Sequence, residues 1–123
     1  FKPDHLLLSY HGLPVRHLEK SHCQPCQGEC PAQETKQTAF CYRAQCFASA
    51  RAMRSLLQPL PISVAFQSRL GRIPWIQPYL EDELLKLRSL GIKRLAIMSP
   101  AFVVDCLETL EEIAIRTREQ WLA

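Results

Sequence analysis

Two groups of residues in this 123-residue chain have the types and spacing for chemistry. The first is acidic. Asp105, Glu108 and Glu112 lie three and four residues apart, so a helix here carries all three carboxylates on one face. The macrodipole at a helix's first turn welcomes Asp105 and Glu108 without any function, but Glu112 sits two turns in. His11 supplies an imidazole, a side chain that can take or give protons, in a turn beside Gly12 and near Pro14. An imidazole facing a row of carboxylates can bind a divalent metal, or accept protons that a metal displaces. The second group is the thiol set Cys23-x2-Cys26-x3-Cys30-x10-Cys41. It supplies the four thiolates of an iron–sulfur cluster, and zinc accepts the same four. His17 and His22 are alternative ligands in the same polar stretch, and Cys46 competes for the fourth place.

The elements that must position these residues follow from pattern. Leu6–Tyr10 reads as a short buried strand, stopped by the turn residues after His11. Tyr42 to Leu57 reads as a helix with Cys46, Ala50, Met53 and Leu57 on its apolar stripe. That stripe assigns Cys46 to the core, apart from the thiolate centre, whereas Cys41 lies just before the helix. Pro59 and Pro61 end the helix, Ile62–Phe66 is the next strand, and the Gln67–Trp75 stretch is a polar loop. A helix from about Pro78 to Leu90 turns Ile76, Leu80, Leu84 and Leu87 inward and stops at Gly91. Leu95–Met98 reads as a third buried strand. The last helix is expected over Asp105–Leu122, with Leu107, Leu110, Ile113 and Ala114 packed on a sheet.

The order β-α-β-α-β-α predicts a Rossmann-like α/β fold, a parallel sheet with helices on both faces. Right-handed crossovers gather the strand C-termini on one edge, where such sheets bind ligands. His11, the Gln67–Trp75 loop and the acidic helix all fall there. Residues 17–40 have almost no aliphatic content, so they need metal to be tied down. With only three strands visible, the chain reads as a piece of a longer protein.

Composition excludes other classes. The formal charge of +3 is scattered rather than striped, which argues against nucleic-acid binding. No apolar run approaches the ~20 residues of a membrane span, and the charged, Pro-containing start is not a signal peptide. Peripheral contact with an inner membrane stays open. There is no G-x-G-x-x-G and no Walker loop for a nucleotide. Five of the six cysteines crowd between Cys23 and Cys46 in an otherwise cytoplasmic-looking α/β chain, which favours metal over disulfides.

Three motifs, Ser9-Tyr-His-Gly-Leu-Pro14, Phe66-Gln-Ser-Arg-Leu-Gly71 with Pro74-Trp75, and Pro100-Ala-Phe-Val-Val-Asp-Cys-Leu-Glu-Thr-Leu-Glu-Glu112, resemble the C-terminal domain of ferrochelatases in order and spacing. The resemblance covers residues 1–123 apart from an insertion at about 17–41. It implies two similar Rossmann-like domains with a porphyrin cleft between them, of which this is part of the second. The implied activity is insertion of ferrous iron into protoporphyrin IX or coproporphyrin III, with the N-terminal half of the same enzyme closing the cleft. It also implies roles: His11 as pyrrole proton acceptor or metal ligand, Glu108 as its partner across the macrocycle, and Asp105 and Glu112 as the path for metal or protons. Gln67, Ser68, Arg69 and Trp75 then line the porphyrin pocket. Many relatives carry His where this chain has Cys106. The insertion is similar to that of bacterial ferrochelatases with an internal [2Fe–2S] cluster, here on Cys23, Cys26, Cys30 and Cys41, with Zn²⁺ as the alternative.

Two other readings compete. Sirohydrochlorin and cobalt chelatases share the fold class but lack the Pro-Trp loop and the acidic run. A non-enzymatic iron–sulfur or zinc module would need neither His11 nor Glu108. The visible spectrum of anaerobically purified protein separates cluster from zinc. Cys41→Ser should bleach a cluster chromophore and loosen the insertion, whereas Cys46→Ala should leave the colour and cost a fraction of the ~2–5 kcal/mol of larger core truncations. Bleaching by Cys46→Ala with colour retained in Cys41→Ser would reverse the ligand assignment.

Overall fold

The computed structural model describes residues 1–20, 28–31, 35–36 and 38–123. Three strands, β1 (His5–His11), β2 (Ile62–Gln67) and β3 (Leu95–Met98), form a parallel sheet in the order β2-β1-β3. β1 is central, and its side chains alternate between two cores. Leu6, Leu8 and Tyr10 join Val64 and Phe66 under helix α2 (Tyr42–Leu57), with Ala44, Phe47 and Ala50 from that helix. Leu7 and Ala65 face the other way, onto Leu80, Leu84 and Leu87 of helix α3 (Leu80–Ser89). The expected sheet covered on both faces is therefore the fold found.

Local signals place these elements. Gly91, at φ +83°, ends α3 in a Schellman arrangement. Its N–H bonds the Arg88 carbonyl and the Ile92 N–H bonds the Leu87 carbonyl. Ile92 then packs into the same core as Leu87. At the other end of the sheet, Arg94 clasps the Asp4 carboxylate through its backbone and guanidinium N–H groups. The Asp4 N–H bonds the Arg94 carbonyl in return, at 2.8 Å, so β1 and β3 start together.

Three expectations change. A short helix, α1 (Val15–Glu19), follows Pro14 where only a turn and a polar stretch were expected; its single buried residue, Leu18, docks into the α2-side core. β3 is half-buried rather than buried, with Met98 exposed, because among the described residues it pairs only with β1. The last helix begins at Leu107, not Asp105, and is a π-helix over Glu108–Thr117 before a final α-helical turn at Arg118–Leu122. The Arg118 N–H reaches the Ile113 carbonyl, five residues back. That winding breaks the α-helical stripe: Leu107 and Leu110 are 73% and 52% exposed and Ala114 is exposed, while Ile113 and Trp121 pack beside α3.

The Arg94 clasp, led by its side-chain hydrogen bond, holds the Asp4 carboxyl at about 2, below its ordinary 3.8. A carboxyl depressed in the folded state stabilises above its unfolded pKa and loses that contribution as pH falls through the folded one. Urea midpoints of the wild type and Asp4→Asn should therefore differ at pH 6 and converge between about pH 4 and pH 2. A difference that persists unchanged at pH 2 would rule out the clasp as its source.

Candidate active site

The register His11↔Gln67 sets the ends of β1 and β2 level, while β3 ends opposite Leu8. The chain leaving β3 thus returns across the rim, bringing the Phe102 ring to 6.4 Å from the His11 ring. His11 Nδ1 lies 2.6 Å from the Gly12 carbonyl oxygen. A carbonyl can only accept, so Nδ1 carries the proton and Nε2 of the neutral ring keeps its lone pair. The Tyr42 hydroxyl donates to the His11 carbonyl at 2.7 Å, fixing the backbone beneath the ring. Gly12 must be glycine here: a Cβ would sit 2.9 Å from the Gln67 carbonyl oxygen and 3.2 Å from the Trp75 ring.

Gln67 is 1% exposed, behind the rim rather than on an open pocket wall. Its side-chain oxygen accepts from Ser9 Oγ at 2.7 Å. Its amide nitrogen donates to the Glu108 carbonyl at 3.0 Å and to Glu112 Oε2 at 3.2 Å. Ser68 follows with φ +68°, a left-handed conformation uncommon outside glycine. That turn aims both its N–H and its Oγ at Glu112, at 2.7 and 2.6 Å. Arg69 is exposed, with its guanidinium 4.0 Å over the Tyr79 ring. Trp75 is half-buried, bridging Pro14 in antiparallel fashion, with its indole N–H unpartnered among the described residues.

The acidic row is therefore divided among partners. Asp105 lies before the helix and accepts from Thr109 Oγ1 at 3.0 Å. Glu112 is held by Ser68 and Gln67. Glu108 feels His11, and three influences lower its carboxyl below the usual range: its own backbone N–H, then the Cys106 thiol, then the His11 charge. Among the described residues no three His, Cys, Asp or Glu side chains are gathered to hold a metal ion. The arrangement suits proton transfer: a bare imidazole nitrogen with an ionised carboxylate in its field.

Cys23 and Cys26 fall outside the described residues. Cys30 is half-buried, and Cys41 is fully buried at the start of α2. Cys46 is buried in the core as the stripe implies, but it is not apart from the other thiols. Burial pushes its thiol up to about 12, and the charges of both Cys30 and Cys41 add to the shift. Burial likewise raises Cys30, against the pull of Arg43. A cleft of about 620 Å³ runs along β2 between α2, Trp75–Tyr79 and α3; neither His11 nor Glu108 lines it.

A family profile described as Ferrochelatase matches residues 1–123. The chain belongs to the ferrochelatase family. It is 53% identical over 125 residues to the ferrochelatase of Ectopseudomonas mendocina (strain ymp), covering 97% of this chain and 37% of that protein. It is 50% identical over 128 residues to that of Coxiella burnetii (strain Dugway 5J108-111), covering 98% and 36%. The ferrochelatase of Azotobacter vinelandii (strain DJ / ATCC BAA-1303) is 53% identical over 127 residues, covering 98% and 38%. The chain thus spans somewhat over a third of the length of these curated relatives. These matches favour the ferrochelatase reading over the other chelatases and over a non-enzymatic module.

Sequence reasoning placed Gln67 and Ser68 in a polar loop and missed the hydrogen bonds that join them to Glu112. The available signal was a Gln next to a strand end with an apolar strand before it, a position that buries a polar side chain. Gln67→Leu should strand the Ser9 hydroxyl and loosen the π-helix, costing roughly 1–3 kcal/mol per buried group left without a partner. Chemical denaturation checks this, and a cost under ~0.5 kcal/mol would show the amide to be dispensable.

Proposed function

We propose that the full-length enzyme containing this chain inserts ferrous iron into a porphyrin, protoporphyrin IX or coproporphyrin III, in haem biosynthesis. Residues 1–123 are part of its C-terminal chelatase domain, with a cysteine-rich insertion at about 17–41. The reaction requires two pyrrole N–H protons to leave as the metal enters. His11 Nε2 is the acceptor, because the Gly12 carbonyl keeps the other ring nitrogen protonated. Each proton taken makes an imidazolium, which the ionised Glu108 stabilises. Glu112 and Asp105 pass metal or protons along the rim. The observation that carries this reading is the 2.6 Å contact of His11 Nδ1 with the Gly12 carbonyl oxygen, which leaves Nε2 as the ring nitrogen free to accept.

The rim also suits a flat, largely apolar substrate. Val103 and Val104 are 98% and 74% exposed beside the carboxylates, as is Leu107. Such a surface is offered to a macrocycle and to the N-terminal half of the enzyme. Arg69 and Trp75 complete the pocket wall, with Ser68 and Gln67 bracing it from behind. Among the described residues no helix is long and apolar enough to cross a membrane. The proposed location of the full-length enzyme is the cytoplasm, with peripheral contact at the inner membrane.

The second part of the proposal is that Cys23, Cys26, Cys30 and Cys41 hold a [2Fe–2S] cluster. Support comes from the Cys30, Cys41 and Cys46 thiols lying within reach of one another's charge. The Arg43 guanidinium, 3.1 Å from Cys30 Sγ, makes the pocket suited to a negative thiolate-bound group. When bound, the cluster would staple the insertion to α2 and supply a one-electron couple.

In the full-length enzyme, His11→Ala should cut metal insertion by about 10²–10⁴-fold, the usual worth of a general base, with the fold intact by circular dichroism. Glu108→Gln should be severe as well. Asp105→Asn and Glu112→Gln should cost less. Insertion is followed by loss of porphyrin fluorescence, and wild-type turnover by a folded His11→Ala enzyme would end the assignment.

A further inference from the structure

We infer that Tyr42 is a positioning residue for metal insertion, its hydroxyl holding the peptide plane that decides which His11 nitrogen can accept a proton. The inference rests on the reading that His11 Nε2 takes the pyrrole protons. That reading needs the Gly12 carbonyl to stay on Nδ1, 2.6 Å away. Glycine is poorly suited to hold a carbonyl still, because without a Cβ it turns about its backbone more freely than other residues. The Gln67 carbonyl and the Trp75 ring exclude a Cβ here, so the stiffness cannot come from a side chain at this position. It must come from the peptide planes beside it. The His11–Gly12 plane is rigid and carries one donor and one acceptor. Its N–H donates to the Gln67 carbonyl at 2.7 Å, and its carbonyl accepts from the Tyr42 hydroxyl at 2.7 Å. One bond alone leaves a plane free to rock about it; two bonds on opposite sides fix it.

The place of Tyr42 in the fold suits the role. It is the first residue of α2, 31 residues beyond His11 in sequence. It packs against the core in which Ala44, Phe47 and Ala50 of the same helix are buried with residues of β1 and β2. The hydroxyl is therefore delivered by a rigid element rather than by a loop. The Cys46 thiol also lies against this hydroxyl, but sulfur is the weaker acceptor, so the carbonyl takes the proton. The consequence for the reaction is specific. In the neutral ring the fixed Gly12 carbonyl only selects a tautomer. Once Nε2 has taken a proton, the same bond becomes charge-assisted and roughly twice as strong. Loosening it costs the protonated ring more than the resting one, so the rate falls while porphyrin binding holds.

The test uses full-length wild type, Tyr42→Phe, and a protein with 4-aminophenylalanine at position 42, which lacks the hydroxyl but regains a donor. The readouts are nitrogen-15 NMR of the neutral His11 ring, single-turnover iron insertion followed by porphyrin fluorescence, and the porphyrin Kd. Tyr42→Phe should keep its circular dichroism and its Kd. It should show a population of neutral ring protonated at Nε2 and insert iron about 3–10-fold more slowly, the worth of one hydrogen bond. The 4-amino protein should recover most of both changes. An unchanged tautomer in Tyr42→Phe overturns the role at any rate of insertion and leaves His11 standing as the acceptor, because a slower enzyme would then have lost only packing. Loss of the fold in Tyr42→Phe overturns it too, since the bond would then be a structural one. A shifted tautomer with an unchanged rate overturns the inference together with the reading beneath it, because insertion would not depend on Nε2.

Discussion

Gln67 ends β2 with its side chain turned into the protein, and the rim is hung from that amide. Ser9 on β1 satisfies its oxygen, while its nitrogen holds the Glu108 carbonyl and the Glu112 carboxylate. Central strand, neighbouring strand and π-helix thereby meet at one buried group. A buried amide with its partners in place costs little, but each partner removed leaves a polar atom in a site that water does not reach. The geometry of His11 and Glu108 follows from this constraint. The strand register fixes the histidine, and the amide fixes the start of the helix that carries the glutamate.

The parallel sheet, its two covered faces and the sharing of one edge by His11, the polar loop and the acidic helix were all legible in the sequence. Periodicity and glycine or proline punctuation report backbone geometry directly, as the inward Leu80, Leu84 and Leu87 and the Gly91 cap illustrate. The π-helix was not legible, because an α-helical period was assumed for residues that wind more loosely. That assumption put three carboxylates in one row. The structure instead gives Asp105 to Thr109 and Glu112 to Ser68 and Gln67, and leaves Glu108 within reach of the His11 charge. Leu18 shows the converse limit, since one buried side chain anchors a helix that composition alone discourages.

Cysteine spacing was readable as a thiolate set, yet spacing says nothing of the charge around it. Arg43 lies on a stretch that reads as plain helix, and its burial becomes meaningful only once Cys30 folds back against it. Cys46 teaches a related lesson. A residue can serve the core and still lie within the field of neighbouring thiols, so a core stripe does not separate it from them.

The central claim is that His11 presents a bare Nε2 in the field of an ionised Glu108. Nitrogen-15 NMR of full-length enzyme labelled at histidine tests it most directly, with the His11 signals assigned by their absence in His11→Ala. The account predicts, above the imidazole's titration, a protonated Nδ1 and an unprotonated Nε2, held by the Gly12 carbonyl. A neutral ring protonated at Nε2 would put the hydrogen where the substrate's proton must go, and would contradict it.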